Sequence, residues 1–141
     1  MRIIFVEDDK DAKELAGSLT GKGHDVQWCQ NVADAEWYID RQGSEKPFDA
    51  IILDINLGAG FLDERWKDEC LQKSAGWVFY ERVLKEINPK LYERVIFYTG
   101  YPDVFRHDAG ERADVLRFVD KSDANASRKI DEMLAEIFKL K

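Results

Sequence analysis

Cysteine is scarce in this chain. Cys29 and Cys70 stand in isolated segments, which excludes a disulfide framework and a cysteine-based metal site. Long hydrophobic runs are missing as well. The apolar stretches are of strand length, so no membrane-spanning helix is predicted. The opening "MRIIFVEDD" moves straight into acidic residues and carries no signal-peptide pattern. No basic stripe is present either: 21 Lys and Arg are scattered among 28 Asp and Glu, for a net charge of −7. That balance argues against nucleic-acid binding by this chain alone. Histidine is reduced to His24 and His107, neither with a ligand partner in the sequence. A soluble protein of a reducing, cytoplasmic compartment fits these absences.

What the chain does have is alternation. Its 141 residues, 45% of them apolar, suffice for the core of one domain. Five short runs read as strands: 2–6, 25–29, 48–53, 94–98 and 115–119. Most are continuously apolar, as strands covered on both faces are. Between them lie segments of helical spacing. Ala12, Leu15, Ala16 and Leu19 share one face before Gly21 and Gly23, and further helices are expected over 32–40, 77–87 and 102–113. The last, over 127–140, carries Ile130, Met133, Leu134, Ile137 and Phe138 as one stripe. A strand–helix unit repeated five times predicts a doubly wound α/β fold with helices on both faces of a parallel sheet.

In such folds ligands bind at the carboxyl ends of the strands. Here those ends bring Glu7-Asp8-Asp9, Asp54, Thr99-Gly100 and Asp120-Lys121 to one edge. Clustered carboxylates repel one another unless a cation neutralises them, and a hard, oxygen-seeking ion such as Mg²⁺ suits the set. An aspartate in such a place can act as a nucleophile toward phosphorus. A lysine, a metal and a hydroxyl would then neutralise the oxygens of the transferred group from complementary directions. Thr99 can donate a hydrogen bond where a valine of similar shape could not.

Over nearly its whole length the chain resembles the response-regulator receiver domains of two-component signalling. The resemblance lies in "IIFVEDD", "FDAIILDINL", "VIFYTG" and "LRFVDKS". It implies a five-stranded parallel sheet in the order 2-1-3-4-5, one domain over 1–141, and Asp54 as phosphoacceptor. It implies Mg²⁺, or Mn²⁺, held by Asp8, Asp54, the backbone carbonyl of Asn56 and Glu7, the last mainly through water. Thr99 and Lys121 would contact the phosphoryl group, and Thr99 with Phe118 would form the switch. The donor would be a histidine kinase or a histidine phosphotransfer protein. The recipient of the signal would be a downstream effector or output domain, with a phosphorylation-dependent dimer within the family's habits. Dephosphorylation would run in the same site, so the chain is expected to transform itself rather than turn over a substrate. The face of the fourth helix, fifth strand and last helix is the one expected to change. The chain stops where receivers usually stop, as a stand-alone receiver or as the receiver part of a longer regulator.

Two features depart from that pattern. The stretch 57–76, from Leu57 to the matching glycine Gly76, is too long and reads as an insertion. Phe61, Leu62, Trp66, Cys70 and Leu71 predict an amphipathic helix over roughly 62–73. It is expected either as a lid or docking element acting on Asp54, or as a passive packed excursion. The third helix is apolar on two lines, Phe79-Val83-Ile87 and Tyr80-Leu84, and the extra line could carry this insert. Second, Ser122 follows Lys121 where receivers usually have proline, which removes one constraint on that loop. Asp9 is expected at the start of the first helix, and Trp28, Trp37, Trp66 and Trp77 in core or insert packing.

Two other functions attach to the same residues. A degenerate receiver would bind partners without phosphorylation. A small haloacid-dehalogenase-like phosphatase would also use a strand-end aspartate, but its second carboxylate would fall at Asn56, and there is little room for a cap.

Overall fold

The computed structural model describes residues 1–10, 12–41, 46–57 and 66–140. Five strands form one parallel sheet: β1 (Arg2–Val6), β2 (Asp25–Cys29), β3 (Ala50–Leu53), β4 (Val95–Thr99) and β5 (Arg117–Asp120). Their order is β2-β1-β3-β4-β5, as expected. The sheet is doubly wound, with the carboxyl ends of β1, β3, β4 and β5 along one edge.

Alternation along the strands divides the core. Ile3, Phe5, Ala50, Ile52, Ile96 and Val119 meet α1 (Ala12–Gly21) and α5 (Ala126–Phe138), whose Leu19, Ile130, Leu134 and Ile137 are buried. Ile4, Val6, Ile51, Leu53, Val95 and Phe97 meet the other helices. These are α2 (Val32–Arg41), α3 (75–87) and α4 (Pro102–Ala109).

α3 is not a regular helix. Ala75–Val78 is α-helical, Phe79–Leu84 widens into a π-helix, and Lys85–Ile87 returns to α. Both apolar lines expected on it are used: Phe79, Tyr80, Val83 and Leu84 are all buried. A π stretch is rare and usually bears on function, because it shifts the side chains that follow it around the axis.

Apart from shifts of one or two residues at element ends, the structure departs from the sequence expectations in four places. The helix over 102–113 stops at Ala109. Gly110, at φ +58°, closes it before a 3-10 segment, Gly110–Asp114. β5 starts at Arg117, because Val115 is 80% exposed in the exit from that segment and Leu116 is only half-buried. Part of the helix expected over 62–73, residues 62–65, lies outside the described residues. The remainder turns through a short 3-10 helix, Glu69–Leu71, with Leu71 82% exposed while Trp66 and Cys70 pack on the core. Trp37 lies on the surface of α2 at 45% exposure, where Arg41 covers its ring, whereas Trp28, Trp66 and Trp77 do pack.

Candidate functional site

β1, β3, β4 and β5 deliver the site groups to the edge, and their hydrogen-bonded neighbours fix where the strands end. The Glu7 N–H donates to Cys29 O at 2.9 Å and the Asp54 N–H to Val6 O at 3.0 Å. These bonds extend the pairing of β1 with β2 and β3 by one residue. Carboxylate oxygens of Glu7, Asp8 and Asp54 lie within 4.8 Å of one another. Glu7 and Asp54 are buried and Asp8 is exposed.

Asp54 is held at both oxygens. Oδ1 accepts from the backbone N–H of Asn56 at 3.0 Å, and Oδ2 from Lys121 Nζ at 3.0 Å. Lys121 also pairs with Glu7 Oε2, while Glu7 Oε1 accepts from the Asp9 N–H at 3.1 Å. One lysine therefore serves two buried carboxylates. The Glu7 carboxyl is pushed up to about 7 by burial and then by the Asp54 charge, with Lys121 opposing. Burial pulls the Lys121 ammonium down, but Glu7 and Asp54 outweigh it and hold it above the usual lysine value.

This electrostatic imbalance is what a divalent cation relieves. Three carboxylates around one ammonium leave net negative charge, and Asp8 faces water, where a partly hydrated ion is accommodated. The donor set fits Mg²⁺. Asn56 reaches the rim and is exposed. A groove of about 580 Å³ opens beside the acids, lined by Glu7, Asp9, Leu15, Tyr98 and Lys121 among others.

Thr99 closes β4, fully buried, with its Oγ1 accepting from the Tyr101 N–H at 3.3 Å. Its carbonyl accepts from the Lys121 N–H at 3.0 Å, so the two residues share one backbone corner. Phe118 is half-buried, stacked on Phe105 of α4 with centroids 4.6 Å apart and planes 6° from parallel. Asp9 sits at the entry to α1, its carbonyl accepting from the Ala12 N–H at 3.1 Å.

The loop after Lys121 holds its shape without proline. No cis peptide occurs among the described residues. Asp120 Oδ1 instead accepts from the Ser122 N–H at 2.9 Å and from Ser122 Oγ at 2.8 Å, a side-chain turn that pins the corner.

Two groups that the sequence reading did not single out complete the surroundings. Asp108, on α4, is buried and bonds to the residues just before α3. Arg112 donates to the hydroxyls of Tyr80 and Tyr92, each at 2.9 Å, and pairs with Glu81. A carboxylate in the last turn of a helix is a local anomaly that could have flagged Asp108. Nothing local marks Arg112, whose partners come from the π stretch and the turn after α3.

The fold matches known structures. The fold is that of a response-regulator receiver domain. The non-phosphorylated HemR receiver domain from Leptospira biflexa is 20% identical, with a TM-score of 0.68 over 99% of this chain and 95% of that one. A CheY-like receiver domain protein from Methanospirillum hungatei is 20% identical, with a TM-score of 0.65 over 99% of this chain and 98% of that one. NtrX from Brucella abortus is 22% identical, with a TM-score of 0.69 over 99% of this chain. The present chain spans only 27% of NtrX. No family model matches the sequence, and no curated protein does. Among the described residues, no helix of this receiver fold is long and apolar enough to cross a membrane.

Proposed function

We propose that the chain, as one receiver domain over 1–141 with 57–76 inserted, accepts a phosphoryl group on Asp54. The donor is a histidine kinase or a histidine phosphotransfer protein. One observation carries the reading: a buried aspartate has its Oδ1 held by a backbone N–H and its Oδ2 by Lys121, beside two further carboxylates within 4.8 Å. An Asp54 oxygen attacks phosphorus while the bond from phosphorus to the donor imidazole breaks, its electron pair leaving with the histidine. Asp8, Asp54, the Asn56 carbonyl and, mainly through water, Glu7 would hold Mg²⁺, which would neutralise charge on the phosphoryl oxygens. Lys121, paired with Asp54 Oδ2 before transfer, contacts the phosphoryl group, and the Thr99 hydroxyl turns to donate to its oxygens.

The added charge, roughly −1.5 to −2 units, is read by Thr99 and by Phe118. Phe118 changes its packing on Phe105 and so the surface of α4, β5 and α5 offered to an effector. Hydrolysis in the same pocket ends the signal. Acetyl phosphate with Mg²⁺ tests the reading by intact mass. A covalent gain that disappears in Asp54→Ala is the expected result, and phosphotransfer profiling against candidate kinases then finds the donor. No gain at all would return the reading to a phosphorylation-independent interaction module. Repeated turnover of a small phosphate ester, lost in Asp54→Ala, would point instead to a phosphatase that uses the same aspartate.

A further inference from the structure

We propose that Asp108 clasps the exit of the β3–α3 connection to α4, giving the phosphoacceptor a second mechanical line to that helix, separate from Thr99 and Phe118. The proposal rests on Asp54 being the phosphoacceptor.

Asp108 occupies an unfavourable place. It is 3% exposed, and it lies in the last turn of α4, where the helix dipole disfavours an anion. An apolar side chain there would avoid both costs. What the aspartate provides is a grip on two consecutive residues. Its Oδ2 accepts from the Ser74 N–H at 3.2 Å, and its carbonyl accepts from Lys73 Nζ at 3.3 Å. Side chain and backbone of one residue are thus held by the last two residues before α3.

The line continues to the site. Gly76 follows at once, with its N–H donating to Ile55 O at 3.1 Å. A Cβ at Gly76 would lie 2.3 Å from Asp54 O and 2.6 Å from Ile55 Cα, so the start of α3 rests directly on the backbone of the phosphoacceptor. Only residues 74–76 separate that contact from Asp108. The far side of α4 is fixed too. Arg112, just beyond Gly110, binds Tyr80, Glu81 and Tyr92, which belong to the π stretch and the turn after α3. The start of α4 is looser, with Tyr101 55% and Val104 37% exposed. A displacement at Asp54 therefore reaches the end of α4 through Gly76, Ser74 and Asp108, and its beginning through Thr99.

Beryllofluoride with Mg²⁺, added to the full ¹⁵N-labelled chain, separates the two lines. In the unaltered protein the amides of 99–101 and of 103–109 both shift. Asp108→Ala removes the acceptor; Ser74→Pro removes the donating N–H at a φ of −61°, which proline adopts. Each variant should reduce the response of 105–109 by about two-fold or more. Each should leave that of 99–101 intact, and the double variant should lose no more than either single one. Asp108→Asn, which keeps an acceptor oxygen, should retain the response. If Asp108→Ala does not fold, Ser74→Pro against Asp108→Asn makes the same comparison. Full shifts of 105–109 in the variants, or losses that add, would overturn the coupling while leaving the phosphoacceptor reading intact. No shift anywhere in the unaltered chain would overturn both.

Discussion

On one side of the sheet, α1 and α5 bury Leu19, Ile130, Leu134 and Ile137 against Ile3, Ile52 and Ile96, a layer that is mainly aliphatic. On the other side a cluster of rings is set among the aliphatic side chains. Trp77 lies 5.6 Å from Phe97 and 5.2 Å from Tyr80, Tyr80 stacks on Tyr92 at 4.4 Å, and Phe105 stacks on Phe118. Aliphatic side chains fill volume with little directional preference, so such a layer holds the sheet and tolerates adjustment. Rings have preferred mutual angles, and the hydroxyls of Tyr80 and Tyr92 fix an arginine as well. The ring side also carries the π stretch, Asp108 and the exit of the long connection. The aliphatic layer is what any fold of this kind needs; the ring layer is where this chain has become particular.

The largest test of that contrast is Trp77→Ala. Truncating this buried ring should cost about 3–5 kcal/mol in urea unfolding and loosen α4. A loss no greater than that of a single methyl on the other face would break the comparison.

The acidic edge, which belongs to neither layer, gives the next effect. The Glu7 carboxyl stands at about 7 in the folded chain against an ordinary 4.5, so the folded state keeps its proton where the unfolded chain has lost it. The contribution of Glu7 to the stability of the metal-free protein should be full below about pH 4.5, fall as pH rises toward 7 and level off above, by on the order of 3 kcal/mol. Urea titrations across that range should show the fall, and Glu7→Gln should flatten it. A slope of the opposite sign, unchanged by Glu7→Gln, would refute the burial of a strained acid here.

Gly76→Ala ranks third. Its Cβ meets backbone rather than a movable side chain, so a loss of about 1–3 kcal/mol is expected, with slower phosphoryl uptake from acetyl phosphate. Smallest is Ile130→Val in the aliphatic layer, at about 0.5–1.5 kcal/mol, with the beryllofluoride response of α4 unchanged. A changed response there would mean that both faces take part in the switch.

The legibility of the sequence follows the same divide. β1 and β2 match the expected 2–6 and 25–29, the first as the continuous apolar run 3–6 and the second through Val26, Trp28 and Cys29. The acid cluster was legible because strand ends in an α/β sheet converge by topology. The strands that slipped did so where apolar residues serve something other than a strand, as Val115 does in the exit from the 3-10 segment. The insert misled in a related way. Trp66, Cys70 and Leu71 repeat at nearly helical intervals, yet the described part turns tightly through Glu69–Leu71 and leaves Leu71 in solvent. Periodicity reports which faces are apolar, not whether an i→i−4 ladder forms. The partners of Asp108 and Arg112 come from segments far apart in the chain, and no local pattern contains them.

The place of Trp77 has a practical consequence. It sits one residue after the glycine that rests on Asp54, touches Phe105 of α4 at 6.4 Å, and has the Arg112 guanidinium 5.8 Å above its ring. Its indole emission is therefore exposed to the field of a cation and to the packing of the segment that the signal must cross. A chain in which Trp28, Trp37 and Trp66 are replaced by phenylalanine would retain this one fluorophore. It would report activation optically, from inside the protein, with no label attached.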